Sequence, residues 1–270
     1  MAAQLVQEGS SSPADVFLTE NSPAMTTVQN AGLLAAVDPA TTAQVGPQYA
    51  PSTHQWVGIA ARSTVLVYNP SKITAAQLPT SIMDLAKPEW KGKWGAAAGG
   101  ADFQAIVSAI LATQGEQKTA TWLAGLKSGA QVFQSNTAVM KAVNAGQVPV
   151  GIMYHYYWYR DQALTKAGSK NTALLYFRHR DPGAFVSISG GGVLKSTKHA
   201  ATAQKFLAFV TSAQGQKVLA TSDAKEYAVG NGVASDPALE PLASLEAPSV
   251  DPFTLNGPKV ITLMTRAGIL

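Results

Sequence analysis

The stretch from Trp56 to Tyr68 constrains the fold more than any other part of the chain. It reads Trp-Val-Gly-Ile-Ala-Ala-Arg-Ser-Thr-Val-Leu-Val-Tyr, rich in β-branched and aromatic residues, and Asn69-Pro70 ends it with a turn. That composition extends as a strand, and one long extended segment of this kind can pass from one lobe into another. Around it the pattern alternates. Met1 opens inside a helix tail that ends at Gly9, and 14–19 reads as a strand. Ser22, as N-cap, and Pro23 open a helix that Gly32 closes. A short helix and a Trp-bearing turn occupy 81–95, and Asp102 caps a helix running to Thr113. Further helices are expected over 116–127, 136–144, 157–167, 200–210, 213–219 and 258–267. Strands are expected over 148–153, 173–177 and 185–188, and Gly190-Gly191-Gly192 reads as a flexible or tightly packed turn. Strands alternate with helices and no fixed-period repeat appears, so the class is α/β.

A chain of 270 residues suits one large domain or two lobes, and 46% hydrophobic residues are enough for a proper core. Only 13% of residues are charged, so Ser, Thr, Gln, Asn and Ala must cover the surface. The absence of cysteine removes zinc–thiolate sites, iron–sulfur clusters, thiol nucleophiles and disulfides. The net charge is +4, but the cations are scattered, and the densest cluster, Arg178-His179-Arg180, runs straight into Asp181. That pattern does not suit a nucleic-acid partner. No apolar run reaches the ~18 residues of a membrane span. No export signal is visible, and the chain reads as cut short at its start. His54, His155, His179 and His199 lack metal-site spacing, and neither a Gly-x-Ser-x-Gly elbow nor a Walker loop occurs, so an enzyme is not expected.

The most unusual segment is Met153-Tyr154-His155-Tyr156-Tyr157-Trp158-Tyr159-Arg160, which holds four of the eight tyrosines. An aromatic core or edge strand is the plain reading, but successive strand residues face opposite sides, so one core cannot bury them all. A strand ending near His155 and a helix starting at Tyr157 would bend the backbone between the tyrosines. Both hydroxyls would then converge at the strand's carboxyl end, where open α/β sheets place ligands. A phenol with its pKa near 10 is a poor ligand at neutral pH, but a trivalent hard cation stabilises the phenolate. Ferric iron is one use of such a pair, and stacking on a sugar or aromatic ligand is the rival. Glu20 could add a carboxylate or be a solvated charge. The Gly99-Gly100 pair before Asp102 could present N–H groups to an anion. Arg62 is an anion ligand or a salt-bridged crossover residue.

Ser-Pro-Ala-Asp-Val-Phe-Leu-Thr-Glu-Asn (12–21), Gly-Ile-Ala-Ala-Arg-Ser-Thr-Val-Leu-Val-Tyr-Asn (58–69), Pro-Glu-Trp-Lys-Gly-Lys-Trp-Gly (88–95) and His-Tyr-Tyr-Trp-Tyr-Arg (155–160) occur in an order that resembles the periplasmic ferric-ion-binding proteins of ABC importers. Gly-Val-Leu-Lys (192–195) and Ala-x-Lys-Phe-Leu-x-Phe (203–209) extend the resemblance over nearly the whole chain. It implies a type II periplasmic-binding-protein fold with a hinge and a central cleft. One lobe would hold 1–62 and 187–238, the other 63–186 and 239–270. Tyr156 and Tyr157 match the family's iron ligands, and Glu20 falls where some members place a carboxylate. Arg62, Gly99, Gly100, Asn136 and His155 fall around the synergistic-anion site, the anion being carbonate or phosphate. The implied function is capture of Fe³⁺ and its delivery to an ABC permease, in the periplasm or anchored outside the cell membrane. Three departures stand out. The family's opening strand–helix–strand unit is absent, which would expose a sheet edge and invite dimerisation of a normally monomeric protein. Gly99-Gly100 replaces Ser or Thr in the anion loop, and His155 replaces an Asn. A binding protein for a polyamine, thiamine or phosphonate is the nearest alternative, and a carbohydrate-active enzyme a more distant one.

Overall fold

A computed structural model describes residues 1–251 and 255–270. The chain opens with α1 (Ala2–Glu8), β1 (Val16–Thr19), α2 (Ser22–Asn30), α3 (Pro39–Thr42) and β2 (Val57–Tyr68). Then follow β3 (Trp94–Ala96), α4 (Ala101–Gly129), β4 (Ala130–Val132), α5 (Asn136–Asn144), β5 (Val150–Tyr154), α6 (His155–Leu164) and β6 (Ala173–Leu175). The rest is β7 (Val186–Val193), α7 (Ala200–Thr211), α8 (Ala213–Thr221), β8 (Tyr227–Ala228) and α9 (Gly257–Arg266). Two compact units emerge. Unit 1 is Met1–Ala61, Ser187–Leu239 and Asp251–Gly257; unit 2 is Arg62–Val186, Glu240–Val250 and Pro258–Leu270. The chain thus crosses from unit 1 into unit 2 inside β2, and returns at the start of β7. The sequence reading assigned all of 239–270 to one lobe, whereas Asp251–Gly257 belongs to unit 1. Packing explains this: a Cβ on Gly257 would lie only 3.2 Å from Pro23 Cβ.

In unit 1, β1 runs antiparallel to β7 from Val16↔Val193 to Thr19↔Gly190, and the first half of β2 pairs with β8. The core gathers Leu5, Phe17, Met25, Val28, Leu34, Trp56, Ile188 and Leu194. Gly190, Gly191 and Gly192 are not a turn; they lie within β7. An added Cβ would stand 2.5 Å from the Trp56 ring at Gly190, 2.8 Å from Leu207 at Gly191 and 3.0 Å from Leu34 at Gly192. Close approach of side chains, not backbone freedom, demands these glycines. Ser22 is not a cap either. Asn21 holds the N-cap position of α2, and the Ser22 hydroxyl donates to the Ile188 carbonyl at 3.3 Å.

Unit 2 is built on the order β6-β2-β5-β3-β4. The second half of β2 is antiparallel to β5 and β6, while β3 is parallel to β5 and β4. Leu66 of β2 packs with Trp94, Phe103, Ile106, Ile110 and Trp122, and its neighbours Val65 and Val67 pack with Met140, Val143 and Met153. The strand is therefore buried on both faces, which is why its sequence is a continuous apolar run. The two helices expected over 102–127 are both present within α4, which breaks at Gly115; its φ of 80° and ψ of 170° are not helical and suit glycine at little cost.

Candidate functional site

The aromatic segment is built at the carboxyl end of β5. Tyr154 is still extended, with φ −90° and ψ 150°, and α6 starts at His155. The bend thus precedes both tyrosines, rather than falling between them. Tyr156 and Tyr157 share the first helical turn, about 100° apart around the axis. Their side chains nevertheless lie together, with rings stacked at a centroid distance of 4.2 Å and an interplanar angle of 29°. Tyr156 is buried at 6% exposure, while Tyr157 is half-buried.

The two hydroxyls are hydrogen-bonded to each other. Tyr157 Oη donates in turn to Asp102 Oδ2 at 3.2 Å. Asn136, the first residue of α5, donates to the same Asp102 oxygen at 2.9 Å and also bonds the Tyr157 hydroxyl. Tyr154 Oη donates to the Asp102 carbonyl at 3.4 Å. The first turns of α5 and α6 thus meet on one carboxylate of α4, and the end of β5 reaches the backbone carbonyl of the same residue. Asp102 was expected to cap α4, but Gly100 occupies the N-cap position and Asp102 lies in the first turn, only 7% exposed. An acidic residue there is favoured by the helix dipole alone, and that ordinary reason hid its part in the site.

Electrostatics keep both phenols protonated. Burial pushes the Tyr156 phenol far above its usual range, the Asp102 charge and the Tyr157 hydrogen bond add to it, and only Arg62 opposes. Tyr157 is raised chiefly by burial, with the Asn136 hydrogen bond pulling down and the Asp102 charge pushing up. Arg62, 2% exposed, sets its guanidinium carbon 5.4 Å from the Tyr156 ring centroid and 6.0 Å from that of Tyr154.

Other sequence candidates fall differently. His155 is fully buried and its Nδ1 accepts the Ser63 N–H at 3.2 Å, so that nitrogen offers no proton to an anion. The Gly100 N–H is also committed, donating to the Ala97 carbonyl at 2.9 Å. Gly99 borders open space, since an added Cβ would meet nothing closer than Leu270 at 4.0 Å. Glu20 is exposed, in unit 1, directly after β1. Among the described residues there is no group of three or more His, Cys, Asp or Glu that could hold a metal ion.

A two-unit α/β chain with a polar cluster at a strand's carboxyl end has the build of a binding protein, and the comparisons agree. The chain belongs to the bacterial extracellular solute-binding proteins, whose family model matches residues 11–253. Membership implies work outside the cytoplasmic membrane with an ABC permease as partner. No helix among the described residues is long and apolar enough to cross a membrane.

More particularly, the chain is 61% identical to the Fe(3+)-binding periplasmic protein of Serratia marcescens over 267 residues, 99% of this chain and 79% of that one. It is 36% identical to the major ferric iron-binding protein of Neisseria meningitidis serogroup B over 272 residues, covering 100% of this chain and 82% of that one. The iron-bound HitA structure from Pseudomonas aeruginosa superposes with a TM-score of 0.92 at 41% identity, covering 99% of this chain and 87% of that one. These relatives are binding proteins, not enzymes, and the type II binding-protein fold is shared with them.

Proposed function

We propose that this chain captures ferric ion as the cargo of an ABC importer, with Tyr156 and Tyr157 as phenolate ligands. The observation that carries the reading is the stacked pair in which the Tyr156 hydroxyl bonds Tyr157 and Tyr157 in turn donates to Asp102. A hydrogen-bonded chain from Tyr156 through Tyr157 to Asp102 gathers three hard oxygens, the donor set a trivalent cation prefers. Binding replaces the phenolic protons, so the hydrogen bonds of the metal-free site mark where oxygen–metal bonds form.

Asp102 also bears on the anion. It brings a fixed negative charge into the first turn of α4, and the Gly100 N–H is already used. Both features weaken the case for carbonate or phosphate there, and Asp102 itself takes the anion's place as an oxygen ligand. The roles of Arg62, Asn136 and His155 are then supporting ones. Glu20 stays a ligand by resemblance alone.

An organic ligand stacked on the tyrosines is disfavoured, because the ring faces already cover each other and Arg62 lies over Tyr156. Titrating purified protein with ferric ion supplied on a weak chelator separates the readings. Phenolate-to-iron charge transfer gives a visible band that saturates at one equivalent. Protein that stays colourless while binding a polyamine, thiamine or phosphonate overturns the proposal.

A further inference from the structure

A guanidinium removed from water is costly unless something compensates its charge, and at Arg62 the compensation includes aromatic faces. At 5.4 Å and 6.0 Å, both ring centroids lie at or within the range in which a ring's negative face attracts a cation. Arg62 is also the first residue of unit 2, and its neighbour Ser63 anchors the same helical turn by donating to His155 Nδ1 at 3.2 Å. β2 therefore holds the start of α6 twice within two residues, once by a backbone hydrogen bond and once by a cation over a ring.

We infer that Arg62 is a positioning residue for the metal tyrosines, holding the Tyr156 ring from its face and drawing electron density from it, rather than a ligand for an anion. The inference rests on the ferric reading above. A cation on the ring face lowers the energy of the phenolate's highest filled orbital. Charge transfer from that orbital to ferric ion then needs a shorter wavelength than it would without Arg62. Lysine at this position keeps the charge but is a compact ammonium that cannot lie flat over the ring. Methionine keeps most of the length and no charge.

The test compares the wild-type chain, Arg62→Lys and Arg62→Met, each checked for native circular dichroism and loaded with one equivalent of ferric ion. The charge-transfer band is expected to move to longer wavelength in the order wild type, Lys, Met. Iron affinity in the Met variant should fall about tenfold, within what a desolvated cation–ring contact supports. A merely structural residue would lower the melting temperature and leave the band of folded, iron-loaded protein where it was. A wild-type band position in either variant overturns the inference while leaving the ferric reading intact. Should the Met variant not fold, the Lys variant decides alone, since its loss of planar stacking must still shift the band. Failure of the wild type to form any band sinks the ferric reading itself, and this inference with it.

Discussion

Replacing Tyr156 by phenylalanine removes one oxygen and leaves the ring, so it separates metal binding from folding. In the metal-free protein the change deletes a single hydroxyl, bonded to Tyr157. Tyr157 keeps Asp102 and Asn136, and the stack at 4.2 Å and the Arg62 contact at 5.4 Å involve only the ring. The stability cost should therefore be that of one hydrogen bond, about 1 kcal/mol, or a few degrees in melting temperature. On the proposed ferric reading the effect on iron is of another order, because a ligand is gone. Both phenols sit above their usual pKa range, so each must give up its proton on binding throughout the neutral and mildly acidic range. Two protons released per ion make the apparent affinity rise roughly hundredfold per pH unit; one proton makes it roughly tenfold. Competition against a chelator at several pH values, corrected for the chelator's own protonation, measures that slope. Wild type should give a slope near two decades per unit and Tyr156→Phe near one, with much weaker binding at every pH. A variant that keeps the wild-type slope and band, or one that loses several kcal/mol of stability while holding iron normally, would show that Tyr156 is a core aromatic and nothing more.

Asp102→Asn should weaken iron binding strongly while leaving the metal-free fold close to wild type, because the amide still accepts from Tyr157 and Asn136; undiminished affinity by the same chelator competition refutes its part in the site. Acid unfolding is expected well below the pH of iron release. Lys225 holds the Asp236 carboxyl below its usual range and Arg178 does the same for Glu240, so their stabilisation is present above about pH 4.5 and is lost as pH falls through the lowered folded values. Far-ultraviolet circular dichroism that collapses together with the visible band at pH 5–6 would contradict this. At the alkaline end the sign reverses: the raised Tyr156 and Tyr157 pKa values mean that metal-free stability holds below about pH 10 and falls above it, a loss that denaturant titrations should find reduced in Tyr156→Phe. Gly190→Ala should destabilise unit 1 by about 1–3 kcal/mol through overpacking against Trp56, read from thermal melts; an unchanged melting temperature would mean that β7 yields freely.

The sequence exposed the parts of this molecule that follow from periodicity and composition. The apolar run of β2 was legible because a strand buried on both faces needs apolar side chains at every position, and Asn136–Asn144 because Ser135 caps an amphipathic turn pattern. What failed depended on neighbours distant in sequence. Gly190-Gly191-Gly192 resembled a turn because nothing local reveals Trp56, Leu207 and Leu34 pressing on the strand. Ser22 and Asp102 each sat where a cap was plausible, and each side chain instead answers a partner far along the chain, Ile188 for one and Asn136 with Tyr157 for the other. The sequence did bring the two tyrosines together, but it placed the helix start about two residues late, since propensity alone does not fix where a helix begins.

That displacement changes how the pair works. Had the bend fallen between the tyrosines, the hydroxyls would have converged by backbone geometry and the phenols could have stood apart, each solvated and near its ordinary pKa. With both residues in one helical turn, convergence is achieved by stacking and by a hydrogen-bonded chain that ends on Asp102. Such a chain has direction: Tyr156 gives its proton to Tyr157 and Tyr157 to the carboxylate, so a single polar group is missing its proton in the resting site. Asp102 carries that negative charge and Arg62 a positive one, so the resting cluster is close to neutral. On the proposed reading, ferric ion would add three positive charges and expel two protons, leaving one positive charge in excess. A further carboxylate such as Glu20, or a singly charged small anion, would restore balance. Titrating metal-free protein with ferric ion in buffer stripped of carbonate, phosphate and citrate examines this directly. With Glu20 intact the band should form without any added anion; in Glu20→Gln it should weaken and recover when a carboxylate anion is supplied. Identical bands and affinities in the two proteins under stripped conditions would mean that the charge is balanced elsewhere and that Glu20 is only a solvated residue at the end of β1.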